Sequence, residues 1–214
     1  MKIFLDTGDV EAIKRAYETG LVDGVTTNPS HIAKTGRKFK EVVKEICTII
    51  PGPVSAEAVA YNAYDLVKAA EDIATLADNV VVKIPMTVEG LKAVPILEGK
   101  KIRTNVTMVF SPTQASLAMK AGASFVSIVL SRLDAVGNES YILVEDTMIA
   151  KSNYDFRSEI IAGSLKTQNH ILSCLRAGVD IVTVPDSLFF QLFKHPLTDS
   201  GLEAFEKDWK NVPK

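Results

Sequence analysis

Short apolar runs of strand type alternate with longer stretches of helical period along the chain. This alternation is typical of βα units that build a parallel sheet. The apolar runs cover residues 2–5, 24–27, 54–57, 80–84, 102–109, 124–129, 159–162 and 181–184. The pattern therefore predicts eight strands with helices between them.

Residue types at the ends of the helical stretches support this division. Gly20, Gly122 and Gly178 each follow a helical pattern, at the place where a left-handed C-terminal residue is favoured. The segment 111–114 reads Ser-Pro-Thr-Gln, which supplies an N-cap, a proline at the first helical position and a capping-box partner. A helix is therefore expected directly after the fifth strand.

Eight βα units on a chain of 214 residues predict an α/β protein, a (β/α)8 TIM barrel. Because no linker rich in Pro, Ser or Gly divides residues 1–214, we expect a single domain. An open doubly wound sheet is the alternative, although no Gly-x-Gly-x-x-Gly follows any strand. Residues 198–209 predict an additional C-terminal helix whose Leu202, Phe205 and Trp209 form an apolar stripe. That helix would cover the barrel or dock on a neighbouring subunit.

Charge and composition narrow the classes of partner. The formal net charge is -2, and Lys and Arg are spread along the chain, so we expect no nucleic acid partner. The two cysteines, Cys47 and Cys174, lie in amphipathic segments, as expected for packing residues in a reduced compartment. No signal-peptide pattern and no apolar run of about 20 residues is present, so we expect no membrane partner and a cytoplasmic location.

The strand-like segment 80–85, Val-Val-Val-Lys-Ile-Pro, contains a lysine where a buried barrel strand should carry apolar side chains. Burial of the charged amine is costly, so Lys83 is expected to lose its proton and become a nucleophile toward carbonyl groups. The alternative is a lysine at a strand end that reaches solvent or pairs with a carboxylate.

Polar side chains also interrupt the neighbouring strands, with the period of two that selects one face. They are Ser55 with Glu57, Asn105 with Thr107, and Ser127, while Asp6 and Asn28 follow the first two strands. Polar groups near the carboxyl ends of six strands, including Lys83, are what an active site at the mouth of a barrel requires.

Six segments, in this order, carry a resemblance to a known family. They are Phe-Leu-Asp-Thr at 4–7, Gly-Val-Thr-Thr-Asn-Pro-Ser at 24–30, Ser-Ala-Glu at 55–57, Val-Val-Lys-Ile-Pro-Met-Thr at 81–87, Thr-Asn-Val-Thr at 104–107 and His-Pro-Leu-Thr-Asp at 195–199. The chain resembles the short-chain subfamily of transaldolases, which also contains the fructose-6-phosphate aldolases. The match extends from residue 1 to about residue 209.

The resemblance implies that Lys83 attacks the ketone carbon of a ketose phosphate and forms a protonated imine, which accepts electrons when the adjacent carbon–carbon bond breaks. Asp6 matches the aspartate that handles the proton of the hydroxyl at that bond. Glu57 and Thr107 match the pair that hold a catalytic water, with Glu57 moving protons during imine formation and hydrolysis.

The resemblance also implies residues that bind the substrate. Asn28, Asn105 and Ser127 match residues that hydrogen-bond the retained three-carbon unit. A structural hydrogen bond in the barrel mouth is the alternative for each of them, as it is for Asp6 and the Glu57–Thr107 pair.

Phosphate recognition is expected at Arg132, just past the sixth strand, and at Ser164 and Lys166, before the helix that begins near residue 168. Lys166 stands where the family often has arginine, so a point charge would replace a bidentate fork. Solvated surface charge is the alternative for Arg132 and Lys166.

No metal ion or other cofactor is expected, because an imine already serves as the electron sink. His31, His170 and His195 lie in distant segments with no acidic residue at ligand spacing, which indicates surface or packing roles.

Val129 departs from the pattern of both branches of the family, whereas Glu57 agrees with the transaldolases. Transaldolases usually carry phenylalanine and fructose-6-phosphate aldolases tyrosine where this chain has Val129, which leaves space beside the imine. The aldolases tend to carry glutamine at the position of Glu57, so Glu57 favours transaldolase. Gly8 and His31 also replace commoner family residues.

Three hypotheses follow. The first is transaldolase, which moves a dihydroxyacetone unit between sugar phosphates in the non-oxidative pentose phosphate pathway. The second is fructose-6-phosphate aldolase, and the third is a weakly active barrel that binds sugar phosphates. Relatives of this short type commonly form pentamers stacked as decamers, which implies a homo-oligomer.

Overall fold

The protein, seen here in a computed structural model that describes residues 1–213, is a closed barrel of eight parallel strands. The strands are β1 (Lys2–Asp6), β2 (Gly24–Thr26), β3 (Val54–Glu57), β4 (Val80–Pro85), β5 (Thr104–Val109), β6 (Phe125–Val129), β7 (Glu159–Gly163) and β8 (Ile181–Val184). The predicted strands are confirmed to within two residues at each end.

The helices alternate with these strands on the outside of the barrel. They are α1 (Val10–Tyr17), α2 (Pro29–Thr35), α3 (Phe39–Ile49), α4 (Ala63–Ala74), α5 (Val88–Gly99), α6 (Pro112–Lys120), α7 (Ser131–Asp134), α8 (Ser140–Asn153), α9 (Gln168–Ala177), α10 (Asp186–Gln191) and α11 (Pro196–Trp209). Within residues 1–213, none of them combines the length and the apolar character that a membrane-spanning helix needs.

Pairing between the first and the last strand closes the barrel. Each strand pairs in parallel with its sequence neighbour, and β1 also pairs with β8, with Leu5 opposite Val184. This pairing excludes the open sheet and confirms the (β/α)8 barrel. Parallel strands covered by helices bury both faces, which explains why the strands are rich in β-branched residues. Val25, Val82 and Val182 are fully buried in the layer between strands and helices.

Local capping matches the sequence pattern. The Ser111 hydroxyl accepts a hydrogen bond of 3.2 Å from the Gln114 amide, and Pro112 is the first residue of α6. The Gln114 side chain accepts from the backbone N–H of Phe110, one residue before the position expected for a capping box. Gly178 ends α9 with φ of 72°, a left-handed conformation that glycine adopts without a steric cost.

The C-terminal helix is confirmed, and it begins at Pro196, two residues before the predicted start, because His195 is its N-cap. The His195 Nδ1 accepts a hydrogen bond of 3.2 Å from the Leu197 amide. No residue of α11 is buried, and Phe205 and Trp209 are 72% and 73% exposed. The apolar stripe therefore does not cover the barrel within this chain.

Candidate active site

A cavity of about 650 Å³ opens at the carboxyl ends of the strands, where barrel enzymes hold their reactive groups. Nine of the ten predicted site residues line it: Asp6, Asn28, Glu57, Lys83, Thr107, Ser127, Arg132, Ser164 and Lys166. The tenth, Asn105, lies beneath the cavity floor. The structure thus brings residues from five strands, two loops and the short helix α7 to one place.

Lys83 lies on β4 and is buried, with 7% of its surface exposed. Its Nζ donates a hydrogen bond of 2.7 Å to the backbone carbonyl of Thr27. Burial lowers the pKa of the Lys83 amine, and the carboxylates of Asp6 and Glu57 oppose that effect. Since a neutral amine is the form that attacks a carbonyl, this setting favours a nucleophile.

The register of the sheet brings the polar side chains beside Lys83. Glu57 on β3 is paired with Lys83, and Lys83 is paired with Asn105 on β5. Residues paired across parallel strands point to the same face, so these side chains project to the same side of the barrel wall. The carboxylate of Glu57 therefore lies beside the amine that it influences electrostatically.

Asp6, at the end of β1, is held by a hydroxyl that the sequence analysis did not single out. The Thr26 hydroxyl donates a hydrogen bond of 3.0 Å to Asp6 Oδ1 and shares another of 2.7 Å with the Thr183 hydroxyl. Thr183 is the only polar residue of β8, and both threonines line the cavity. A polar residue within an apolar run of strand type is the sequence pattern that could have identified Thr26 and Thr183.

A buried hydrogen-bond chain supports the cavity floor. Asn105 is fully buried, and its Nδ2 donates to the Ser55 hydroxyl over 3.1 Å. The Ser127 hydroxyl donates to Asn105 Oδ1 over 2.7 Å. The chain satisfies both ends of the Asn105 amide and fixes Ser127, which itself lines the cavity.

The residues predicted to bind an anion follow two neighbouring strands: Arg132 lies in α7, after β6, and Ser164 and Lys166 lie after β7. Ser164 has φ of 58°, a conformation that costs free energy for a residue with a side chain. Its hydroxyl lies 2.6 Å from the Ser131 hydroxyl, and its carbonyl accepts from the Ser131 amide over 3.2 Å. These contacts to Ser131 hold the strained turn.

His170 anchors the same loop from α9. The backbone N–H of Lys166 donates to His170 Nδ1 over 3.1 Å, which leaves Nε2–H to donate to Asp134 Oδ2 over 2.8 Å. The imidazole therefore connects α7 to the loop that carries Lys166. His170, for which a surface or packing role was predicted, thus makes two hydrogen bonds that join neighbouring segments.

The sequence analysis missed His31, which was assigned to the surface or to packing. His31 lines the cavity, with its Nδ1 3.7 Å from Asp6 Oδ1. Asn28 caps α2 by accepting from the His31 amide over 2.9 Å, and its Nδ2 lies 3.1 Å from His31 Nδ1. Asn28 thus has a structural role in addition to its place in the cavity wall. No pattern of strands or helices could have identified His31, because it lies in the first turn of a helix that covers the barrel mouth.

Val129 lies in the cavity wall, whereas Cys47 and Cys174 do not. Val129 lines the cavity at the end of β6, where its short side chain leaves open volume. Burial raises the pKa of the Cys174 thiol to about 12 and that of Cys47 to about 11, which disfavours the reactive thiolate. Both cysteines lie in helices outside the cavity wall, so Lys83 is the nucleophile that the cavity offers.

A second cavity, of about 560 Å³, lies at the opposite end of the barrel and is lined by residues such as Arg103, Phe125 and Arg157. It contains no lysine or histidine, and it borders the amino ends of β5, β6 and β7. In this fold that end is associated with stability, whereas chemistry takes place at the other end.

The fold and the site define a class of protein: a (β/α)8 barrel with a buried lysine near two carboxylates and with the cationic side chains of Arg132 and Lys166 at its mouth. Comparison of the sequence with protein families agrees with this class. A family profile described as Transaldolase/Fructose-6-phosphate aldolase matches residues 3–214. The chain belongs to this family.

Relatives with similar sequences span the whole chain. A protein of Aquifex aeolicus is 56% identical over 213 residues, which cover 100% of this chain and 98% of that protein. A protein of Methanococcus maripaludis is 52% identical over 210 residues, with 98% of each chain covered. A protein of Geotalea uraniireducens is 50% identical over 214 residues, with 100% of each covered. Each of the three carries the name "Probable transaldolase".

Proposed function

We propose that this chain is a transaldolase. It would transfer a dihydroxyacetone unit from fructose 6-phosphate or sedoheptulose 7-phosphate to erythrose 4-phosphate or glyceraldehyde 3-phosphate. The observation that carries the proposal is the Lys83 amine, which is buried, has a lowered pKa and lies within the electrostatic reach of Asp6 and Glu57. The names of the relatives support the same reaction.

The first half of the reaction would form an imine. Neutral Lys83 attacks the ketone carbon, and loss of water gives a protonated imine. Glu57, paired with Lys83 across β3 and β4, is placed to move protons during addition and loss of water. Thr107 lines the cavity and would hold the water that is released and later consumed.

The second half would break and remake a carbon–carbon bond. Asp6 takes the proton of the substrate hydroxyl, the bond to the hydroxyl-bearing carbon breaks, and its electron pair neutralises the imine to give an enamine. The aldose product leaves and the acceptor aldose enters. The same steps in reverse join it to the three-carbon unit, which Asn28 and Ser127 are proposed to hold, while Asn105 positions Ser127 from beneath.

The phosphate would bind at the far side of the mouth. Arg132 and Lys166 supply positive charge there, and Ser164 supplies a hydroxyl. These residues follow β6 and β7, whereas Lys83 lies on β4, so a sugar phosphate would extend across the cavity from the imine to reach them. The proposal includes no metal ion or other cofactor.

The proposed substrates and reaction place the protein in the non-oxidative pentose phosphate pathway. Charged sugar phosphates do not enter an apolar bilayer without a large cost, so the enzyme would work where they are made, in the cytoplasm.

Fructose-6-phosphate aldolase is the second candidate, and the observation that favours it is the matching family profile, whose description names both activities. Val129 lacks the hydroxyl of the tyrosine that aldolases carry there, and it motivates the hypothesis of a weakly active barrel. An acceptor aldose is required for turnover by a transaldolase and is not required by an aldolase. Cleavage of fructose 6-phosphate measured with and without erythrose 4-phosphate separates the two reactions.

Borohydride reduction in the presence of fructose 6-phosphate tests the mechanism. We expect one reduced sugar adduct per chain, formed from the six-carbon imine or from the three-carbon imine that remains after cleavage, and peptide mass mapping should locate it on Lys83. Lys83→Met should abolish both the adduct and transfer, while Lys120→Met, at the exposed end of α6, should change neither. An intact wild-type protein that forms no adduct would leave only the hypothesis of a barrel that binds sugar phosphates.

We also propose that the chain forms a homo-oligomer, a pentamer or a decamer, through α11. Leu202, Phe205 and Trp209 are exposed on a helix that buries none of its residues within the chain, and exposed apolar patches mark interaction sites. Light scattering after size exclusion should give the mass of such an assembly. Phe205→Glu should lower that mass, while Lys207→Glu on the same helix should not; a monomeric wild-type protein would refute the idea.

A further inference from the structure

His31 is a titratable side chain of the cavity for which the proposed reaction has no role. Its imidazole lies 3.7 Å from Asp6, and the two side chains are 24% and 19% exposed. Both line the same cavity as Lys83. A partly buried imidazole beside the carboxylate that must accept a proton is placed to affect that proton transfer.

Contacts from two segments hold His31 in this position. Asn28 caps the first turn of α2 through the His31 amide, and its Nδ2, which is a donor, lies 3.1 Å from His31 Nδ1 and 3.2 Å from Nε2. When Nε2 accepts from Asn28, Nδ1 carries the proton and its N–H is available to Asp6. Gly8 packs against the same turn. A Cβ at Gly8 would lie 3.2 Å from the carbonyl carbon of His31 and 3.3 Å from the amide nitrogen of Ile32, so only glycine permits this approach without a shift.

The two neighbours of Asp6 act on the same oxygen. The Thr26 hydroxyl donates to Oδ1, and His31 Nδ1 approaches Oδ1 as well. The His31 contact of 3.7 Å is longer than a hydrogen bond, and its shortening would give Oδ1 a second donor. An oxygen that accepts two hydrogen bonds is less basic, which would leave Oδ2 to take the proton of the substrate. The carboxylate would then have a fixed orientation and a defined accepting atom.

Burial and the nearby lysines favour the neutral form of the His31 imidazole. Burial lowers the pKa of the His31 imidazole, the Asp6 carboxylate raises it, and Lys83, Lys34 and Lys166 lower it further. Asp9 and Asp186 line the groove that adjoins His31, on the side away from Lys83. A neutral imidazole keeps one N–H to donate and adds no positive charge beside Asp6.

We propose that His31 is a positioning residue for Asp6, whose Oδ1 accepts its N–H once substrate fills the cavity, so that Oδ2 faces the hydroxyl that loses its proton. This inference rests on the proposed transaldolase or aldolase chemistry. In the step concerned, the hydroxyl proton moves to Oδ2, the carbon–carbon bond breaks, and its electron pair converts the protonated imine to an enamine. His31 gains and loses no proton. Contacts of this kind commonly shorten when a substrate binds.

The proposal separates two steps of the reaction. Imine formation depends on Lys83, and carbon–carbon cleavage depends on Asp6. His31→Leu should therefore leave the borohydride-trapped adduct within about twofold of wild type, while transfer falls roughly tenfold or more, because small displacements of a reacting group have effects of that size. His31→Gln retains an N–H donor and should restore part of the rate.

The pH profile gives a readout that a purely structural role would not change. Protonated His31 would pair with Asp6 and weaken it as a base, so wild-type transfer should decline as pH falls below about 6.5. In His31→Gln this acidic decline should move to lower pH. Gly8→Ala keeps the imidazole but shifts its backbone, so we expect a smaller loss of transfer with the acidic decline retained.

His195→Asn is the matched control, since it removes an exposed imidazole at the N-cap of α11 and leaves a residue that can cap a helix. It should leave trapping and transfer unchanged. Transfer by His31→Leu within about twofold of wild type would overturn the inference, and so would an equal loss of trapping and transfer. Absence of an adduct in the wild-type protein would instead refute the proposed function.

Discussion

Thr26 and Asp6 face each other across β2 and β1, and the Thr26 hydroxyl donates a hydrogen bond of 3.0 Å to Asp6 Oδ1. The neighbouring Thr183 hydroxyl lies 2.7 Å from that of Thr26 and extends the chain to β8. The Asp6 carboxylate, at the seam where the barrel closes, is thus held by the strand on one side and indirectly by the strand on the other.

Thr26→Val should slow transfer without unfolding the barrel. The substitution keeps the shape of the side chain but removes a hydrogen bond to a charged group, which is worth about 1.5 kcal/mol, or about tenfold in rate. Steady-state transfer from fructose 6-phosphate to erythrose 4-phosphate measures the effect. Thr183→Val, which removes only the more distant hydroxyl, should lose less activity; an equal loss in both variants would contradict this account.

The rate of imine formation should rise with pH around a midpoint below the ordinary lysine value of 10.5. Burial lowers the pKa of Lys83, so the neutral amine appears at lower pH than for a lysine in solvent. Initial rates of adduct formation with cyanoborohydride measure the midpoint. Glu57→Gln removes a carboxylate that raises the pKa of Lys83. The pH midpoint of this variant should therefore be lower than that of the wild type, although its imine formation is slower. A midpoint that rises in Glu57→Gln would be inconsistent with the electrostatics described.

Val129→Phe should narrow the range of acceptors. The phenyl group would occupy open volume in the cavity wall, and differences of this size in a pocket change discrimination by about tenfold. The ratio of kcat/KM for erythrose 4-phosphate to that for a bulkier aldose phosphate is the measurement. Val129→Ile adds one methylene group and should lie between the two. The same ratio in all three proteins would show that this wall does not contact the acceptor.

His170→Phe should weaken binding of phosphorylated substrates. The variant loses both the acceptor for the Lys166 amide and the donor to Asp134, so the loop that carries Lys166 is less ordered. KM for fructose 6-phosphate should rise by roughly threefold to tenfold, which is the effect of losing about one hydrogen bond between the loop and the phosphate. Turnover of a non-phosphorylated ketose serves as the control and should not change. A similar loss of activity toward both substrates would indicate that His170 contributes to the overall stability of the protein instead.

Gly90→Ala should destabilise the protein, because a Cβ there would lie 2.0 Å from the carbonyl oxygen of Pro85 at the end of β4. Overpacking of this kind costs about 1–3 kcal/mol, so the midpoint of thermal unfolding should fall by several degrees. Gly99→Ala is a matched control at the other end of α5, where a Cβ meets no atom within 4 Å. It should have no effect or raise stability by about 0.5 kcal/mol. Stabilisation by Gly90→Ala would mean that α5 does not pack closely on β4.

The strands and most of the cavity could be predicted from local pattern. A lysine in an apolar run, as at Lys83, and polar residues two apart, as at Ser55 and Glu57, are features of a few neighbouring residues. Asn105 was expected in the cavity and instead supports its floor, because alternation shows which face a residue occupies but not its depth.

Features that depend on distant segments escaped prediction. The approach of Gly8 to the backbone of His31 joins two loops, and neither sequence alone indicates it. The contact between His31 and Asp6 follows from that approach, which explains why His31 was assigned to the surface. The short helices α7 and α10 have 4 and 6 residues, too few for a periodic pattern to emerge.

The residues proposed to carry the covalent chemistry and those proposed to bind the phosphate lie in different halves of the chain. Asp6, Glu57 and Lys83 belong to β1, β3 and β4, whereas Arg132, Ser164 and Lys166 follow β6 and β7. Changes in the later half can therefore alter which sugar is accepted while the machinery for making and breaking bonds stays intact. A gene for such a protein can diversify its substrates by recombination near its middle, with little risk to the reaction itself.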